Sequence, residues 1–327
     1  MAGFDDILGN YQIKSSIKNA VMTGTANHAY IISGIKGSGK KTIAKAFASA
    51  LLCEGENPPC GNCQSCRMAE SGNNPDIIFP VPTKTKTVSI DDIREQIIAS
   101  ASVKPYMFKY KIFIIDEADK MTVAAQNAFL KTLEEPPGYA VFMLLAESIE
   151  SFLPTILSRC ALLRTEGVAS GSIRSLLISR GIDPEKAAVA AEYSRGSIGE
   201  ALELAENEDF IAMRDDITAI LSGIYDKENI DVMLLGEYFN NTYKGDRRIT
   251  DIAALWFRDL LTAKVTGDEK YIIQKDKKDM LFEAAERETA ESIIKKSLAV
   301  KKTAEWLRIN ANFRLAMEVM LMNIKEN

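Results

Sequence analysis

The feature that most restricts the fold of this chain is Gly34-Ile35-Lys36-Gly37-Ser38-Gly39-Lys40. It follows Tyr30-Ile31-Ile32, an apolar run that reads as a short buried strand. It precedes Thr42 to Leu52, an alanine-rich stretch that reads as a helix. The pattern G-x-x-x-x-G-K between a strand and a helix is a phosphate-binding loop. Its glycines let backbone N–H groups point inward at phosphate oxygens, and the helix N-terminus adds positive potential. The alternative is that the glycines merely make a tight strand-to-helix turn.

Lys40 is placed to reach the β- and γ-phosphates of a nucleotide. The next position should be Ser or Thr, whose hydroxyl binds Mg²⁺, and here it is Lys41. Thr42 lies one residue further, rotated by roughly 100° around the helix, so it cannot simply substitute. Lys41 also brings a positive charge near the place of the metal. The expectation is a retained loop with weakened or lost Mg-nucleotide binding, against the alternative of an intact ATPase. Asp116 and Glu117 end a second buried run, Ile112 to Ile115. In a phosphate-loop ATPase an acid here holds Mg²⁺ through water and its neighbour orients the attacking water. A solvated acidic turn is the plainer reading. The candidate nucleotide site is therefore Gly34, Gly37, Gly39, Lys40, Lys41, Thr42, Asp116 and Glu117.

The first half alternates strands and helices, the pattern of a parallel sheet covered by helices. Ile13, Ile17 and Val21 share a helical face; Thr122 caps a helix that Pro136-Pro137 stops after Glu135; Ala140 to Ala146 is a third strand. After about Arg164 the strand signal fades. Three short helical pieces follow, the second opened by Asp183-Pro184 and closed by Gly196, the third capped by Ser197. From about residue 213 the chain reads as almost entirely helical, with long amphipathic stretches at Asp251 to Val265 and Thr303 to Lys325. The domains expected are 1–165, 166–212 and 213–327.

Composition excludes several classes. Of 327 residues, 46% are hydrophobic and 26% charged, a globular balance that argues against a disordered chain. No apolar stretch is long enough for a membrane span, and Met1 to Asn10 carry two acids rather than a basic, apolar export segment. A cytoplasmic location is expected. The net charge of -5 counts against a protein that wraps DNA by itself: either nucleic acid is not the direct partner, or contact needs other subunits.

Four of the five cysteines cluster as C-x6-C-x2-C-x2-C: Cys53, Cys60, Cys63 and Cys66. Two-residue gaps let neighbouring thiolates converge on one tetrahedral ion, and four ligands leave no open catalytic position. A structural zinc is expected at 53–66, where the loop Glu54 to Pro59 brings Cys53 to the others. An iron–sulfur cluster, which would colour the protein brown, and free thiols remain the alternatives. Cys160 reads as a small buried residue and the single histidine, His28, as structural.

Taken together, the phosphate loop, the four-cysteine insertion after its helix, Asp116-Glu117-Ala118-Asp119, Ala125-Gln126-Asn127-Ala128-Phe129-Leu130-Lys131-Thr132-Leu133-Glu134-Glu135-Pro136-Pro137 and Leu153-Pro154-Thr155-Ile156-Leu157-Ser158-Arg159-Cys160 resemble the bacterial clamp-loader subunits of DNA polymerase III, which are AAA+ proteins. Arg308-Ile309-Asn310-Ala311-Asn312-Phe313-Arg314-Leu315 resembles the family's helical collar. The resemblance implies a P-loop-type parallel-sheet domain with a zinc module, a helical lid and a helical collar that oligomerises. It implies a place in the polymerase holoenzyme, a nucleotidyltransferase complex. The partners it implies are tau/gamma and delta subunits in a hetero-pentamer, with the sliding clamp and primed DNA met through that complex.

The departures point to one branch. The motor branch, tau/gamma, keeps an intact phosphate loop, a threonine-rich sensor where this chain has Glu147-Ser148, and an arginine in a Gly-Ser-x-Arg motif that here reads Gly196-Ser197-Ile198-Gly199. These losses, and a length without a long C-terminal extension, resemble the delta-prime branch, a stator with poor or absent ATPase. Arg159 matches the family's arginine finger, which enters a neighbour's ATP site; a surface ion pair is the plainer reading. Two rivals stay open: a tau/gamma-like ATPase that tolerates Lys41, and a zinc-dependent nucleic-acid-binding module, against which the pI of about 5.3 counts.

Overall fold

A computed structural model describes residues 3–4, 7–84, 87–243 and 245–326. Asp5 and Asp6, the acids in the opening segment, lie outside the described residues. The chain forms two compact units. The first runs through Ser172 and includes Arg195–Glu200; the second is Ile173–Ser194 with the chain from Ala201 onward.

The first unit follows from the apolar runs. Helix α1 (Tyr11–Thr23) buries Ile13 and Ile17, and β1 (Ala29–Ser33) leads through the glycine loop into α2 (Lys40–Leu51). A short helix α3 (Gln64–Glu70) and the two-residue strand β2 (Ile77–Ile78) follow. Next come α4 (Ile90–Asp92), a π-helical stretch (Ile93–Ile98) and α5 (Ala99–Ala101). Strand β3 (Lys111–Ile115) precedes α6 (Val123–Glu134), β4 (Ala140–Ala146), α7 (Pro154–Leu157) and β5 (Ala161–Arg164).

The five strands form one sheet in the order β2-β3-β4-β1-β5, and every pairing is parallel. Side chains alternate between faces with period two. Tyr30, Ile32, Ile112, Ile114, Val141, Met143 and Leu145 pack with α1 and α2 on one side. Ile31, Phe113, Ile115, Phe142 and Leu144 pack with α6 and α7 on the other. A sheet covered on both faces needs apolar residues at every position, which is why β1, β3 and β4 read as unbroken runs. Asp76, fully buried, fixes the turn that feeds β3: its carboxylate accepts N–H groups from Tyr106 at 2.5 Å and from Met107 and Phe108 at 2.8 Å each.

In chain order the remaining helices are α8 (Ser170–Ser179), α9 (Pro184–Tyr193), α10 (Ile198–Glu206), α11 (Glu208–Ser222), α12 (Asn229–Tyr243) and α13 (Arg248–Thr266). They continue with α14 (Lys278–Arg287), α15 (Ala290–Arg308) and α16 (Phe313–Glu326). Asp183 caps α9 by accepting N–H groups from Glu185 and Lys186, as expected from the Asp-Pro start. In the second unit buried Asp259 accepts N–H groups from Ile273 at 3.2 Å and Gln274 at 2.9 Å, and buried Lys296 pairs with Glu288 at 2.6 Å.

Two expectations need correction. The stretch Thr303 to Lys325 is not one helix. Asn310 takes a left-handed backbone (φ 60°), and the Asn312 carboxamide accepts the Leu315 N–H at 3.1 Å to start α16. Asparagine tolerates that conformation and caps helices well, so the apolar periodicity runs across a real break. Among the described residues the strands are five rather than the three apparent in sequence: β2 is too short to show periodicity, and β5 is an edge strand whose residues are alternately half-buried and exposed.

Candidate functional site

The glycine loop lies where the sequence places it, between β1 and α2. Gly39 (φ 86°) starts the helix in the left-handed region. Gly37 (φ 72°) also packs against Ser197 and Gly199, because a Cβ there would lie 2.2 Å from Ser197 Oγ. The Gly199 N–H donates to the Gly37 carbonyl at 3.1 Å. The segment Gly196-Ser197-Ile198-Gly199, which lacks the family's arginine, therefore sits directly on the phosphate loop. Ser38 is held by Thr165, with hydroxyl oxygens 2.9 Å apart. Neither Thr165 nor the Gly37–Gly199 contact has a sequence signal, since both partners come from distant segments.

Lys40 is turned onto its own loop. Its Nζ donates to the carbonyl oxygens of Gly34 at 2.7 Å and Ile35 at 2.9 Å. Burial lowers its pKa, and the carboxylates of Glu147, Asp119 and Asp116 oppose that shift. Lys41 points at the end of β3, where its Nζ lies 3.2 Å from Asp116 Oδ2. The other oxygen of Asp116 accepts the Glu117 N–H at 3.1 Å. Glu117 pairs with Lys120 at 2.7 Å, and Thr42 is exposed on the next position of α2. The residues present do not fit Mg²⁺. Position 41 offers an ammonium instead of a hydroxyl, and the carboxylate nearest to it is already paired.

Arg159 follows α7. Its guanidinium pairs with Glu134 at 2.8 Å and donates to the Thr155 carbonyl at 2.9 Å and Ser158 Oγ at 3.1 Å. A third of the side chain stays exposed, so the cation is oriented by its own chain and open to solvent. Cys160 beside it packs against the sheet core, and burial pushes its thiol up to about 12. His28 donates nothing from its buried Nε2, while its carbonyl accepts the Phe142 N–H at 2.8 Å.

The four clustered cysteines converge. The sulfurs of Cys53, Cys60, Cys63 and Cys66 all lie within 4.8 Å of one another. Tetrahedral zinc with bonds of about 2.3 Å needs sulfurs about 3.8 Å apart, within reach of small side-chain adjustments. Backbone N–H groups point at the sulfurs: Gly55 and Cys60 at Cys53, Cys63 at Cys60, and Cys66 at Cys63, over 3.3–3.5 Å. Such donors stabilise thiolates. N–H groups of Asn62 and Cys63 bring the Cys60 thiol down to about 6, whereas burial pushes Cys66 up to about 12. A divalent cation is the natural agent to deprotonate the whole set, so the residues fit zinc. Sequence reasoning missed Gly55: a Cβ there would lie 2.8 Å from Cys60 Cβ and 2.9 Å from its Sγ.

Comparison with known proteins agrees with these features. The family described as "DNA polymerase III, delta subunit" matches residues 9–168. The delta-prime subunit of DNA polymerase III from Bacillus subtilis is 27% identical over 96% of this chain and 96% of its own length. This chain belongs to the family of DNA polymerase III clamp-loader subunits. The B. subtilis tau subunit is 26% identical over 98% of this clamp-loader chain and 61% of its own. The tau/gamma subunit of Haemophilus influenzae is 31% identical over 77% of this chain and 38% of its own. A solved gamma-subunit-related protein from Thermotoga maritima covers 96% of this chain and 99% of its own at 18% identity, with a TM-score of 0.44. The parallel α/β sheet expected from sequence is present in the first unit, with the phosphate loop following β1. Among the described residues no helix is long and apolar enough to cross a membrane.

Proposed function

We propose that this clamp-loader subunit is a delta-prime-like stator that does not run an ATP cycle of its own. In this reading it presents Arg159 to the ATP site of a neighbouring tau/gamma-type subunit in a hetero-pentamer with delta, in the cytoplasm, and so helps load the sliding clamp on primed DNA. The observation that carries it is the state of position 41, where a metal-binding hydroxyl should stand: the Lys41 ammonium lies there instead, 3.2 Å from Asp116 Oδ2. The full-length match to a delta-prime subunit supports the same branch.

Arg159 suits a role in trans. A guanidinium stays charged and forks onto phosphoryl oxygens, where it offsets the charge that develops during transfer. The half-exposed Glu134 holds it with a third of its side chain in solvent, an ion pair of modest strength that a phosphate can displace. The remaining assignments belong to this reading. Residues 1–165 form the nucleotide-binding-type domain, 166–212 the lid and 213–327 the collar. Cys53, Cys60, Cys63 and Cys66 hold a structural zinc that folds 53–66, a segment too short to own a core.

A second reading, a motor of the tau/gamma type, is favoured by the 31% identity to the H. influenzae tau/gamma subunit. The loader assembled with Arg159→Ala separates the finger from a plain surface arginine. The clamp- and DNA-stimulated ATPase is expected to fall, by as much as ~10³ at the site served. A rate equal to wild type contradicts the assignment.

A further inference from the structure

The exclusion of the metal is traceable to one side chain, an inference that rests on the stator reading just given. We infer that the Lys41 ammonium takes the place of the divalent cation at Asp116, and that this residue by itself decides whether the loop can accept a Mg²⁺-bound nucleotide.

Three observations carry this. Lys41 Nζ is 3.2 Å from Asp116 Oδ2, so the carboxylate at the end of β3 already has a cation, tethered to the first turn of α2. The same ammonium lies 6.0 Å from the centre of the Phe79 ring, a second contact that favours its position. The rest of the loop is undamaged: Gly37 and Gly39 keep their left-handed backbones, and nothing lies within 4 Å of the space above Gly39. Asp116, Asp119 and Glu147 act together on Lys40. Without the Lys41 charge these carboxylates leave the mouth of the loop anionic and attractive to a divalent ion.

Lys41 is also easy to replace. Its side chain is 54% exposed and belongs to no core cluster. Lys40 is not a competing lock, because its bonds to Gly34 and Ile35 are made by a flexible stem that a phosphate can draw away. A threonine at position 41 restores the hydroxyl that follows the phosphate lysine in Mg²⁺-binding loops and frees Asp116 in the same step.

The test is calorimetric titration of the full chain with ATP, in Mg²⁺ and in EDTA, using wild type, Lys41→Thr and Lys41→Ala. Wild type is expected to give no saturable heat. Lys41→Thr is expected to bind at least tenfold more tightly than the limit set by wild type, and to lose that binding in EDTA. Lys41→Ala, which removes the charge without supplying the hydroxyl, is expected to gain less. A Lys41→Thr protein that melts like wild type and stays silent overturns the inference and leaves the stator reading standing. Tight Mg-ATP binding by wild type overturns the stator reading itself.

Discussion

At the scale of single residues, function here turns on which partner each charged or soft atom has taken. Lys40 has taken carbonyls, Lys41 has taken Asp116, and Arg159 has taken a half-exposed glutamate. In the proposed reading the Lys41 pairing closes the metal position, and the Arg159 pairing keeps a cation available. Gly55 is a comparable case without charge. Any side chain at that position meets the Cys60 sulfur, so Gly55→Ala should push one zinc ligand off its place. The expected loss is about 10- to 100-fold in zinc affinity, the usual scale for a disturbed ligand shell. Competition against a chromophoric chelator measures it, and an unchanged affinity contradicts the role given to Gly55.

At the scale of elements, helix starts are fixed by a few polar contacts. Ser89 and Asp92 form a reciprocal cap on α4: the Asp92 N–H donates to Ser89 Oγ at 3.2 Å, and Asp92 Oδ2 accepts the Ser89 N–H at 2.8 Å. Thr83 N–H adds a third bond at 3.0 Å. Burial pushes the Asp92 carboxyl up, but the bonds from Ser89 and Thr83 outweigh it and hold the group near 2, below its ordinary 3.8. The folded carboxyl binds its proton more weakly than the unfolded one. Its stabilisation is therefore complete above about pH 4 and disappears as pH falls toward 2. The stability gap between wild type and Asp92→Asn, followed by denaturant melts, should close over that window; a gap independent of pH contradicts this account.

Elements also show what the sequence could and could not reveal. Strands β1, β3 and β4 were legible because both faces are covered and all positions but Ser33 and Lys111, at the strand ends, are apolar. The edge strands β2 and β5 were not, since length and half-exposure erase the pattern. The break at Asn310 was hidden because residues on both sides keep one apolar period. The site divides in the same way. Loop glycines, cysteines and acids have fixed local spacing and can be read from it, with Arg159 recognisable only through the family. Thr165, Glu134 and the Gly37–Gly199 contact depend on chain crossings that local spacing does not encode.

At the scale of the whole molecule, the account is a division of labour. In the proposed reading the chain keeps the α/β framework of a nucleotide-binding subunit and a candidate zinc staple, gives up its own metal position, and offers a guanidinium to the protomer beside it. Steady-state ATP hydrolysis by the isolated, highly purified chain in Mg²⁺ tests this most directly. The predicted result is a background rate that Lys40→Ala does not change. Sustained turnover that Lys40→Ala abolishes would show a working motor and contradict the account.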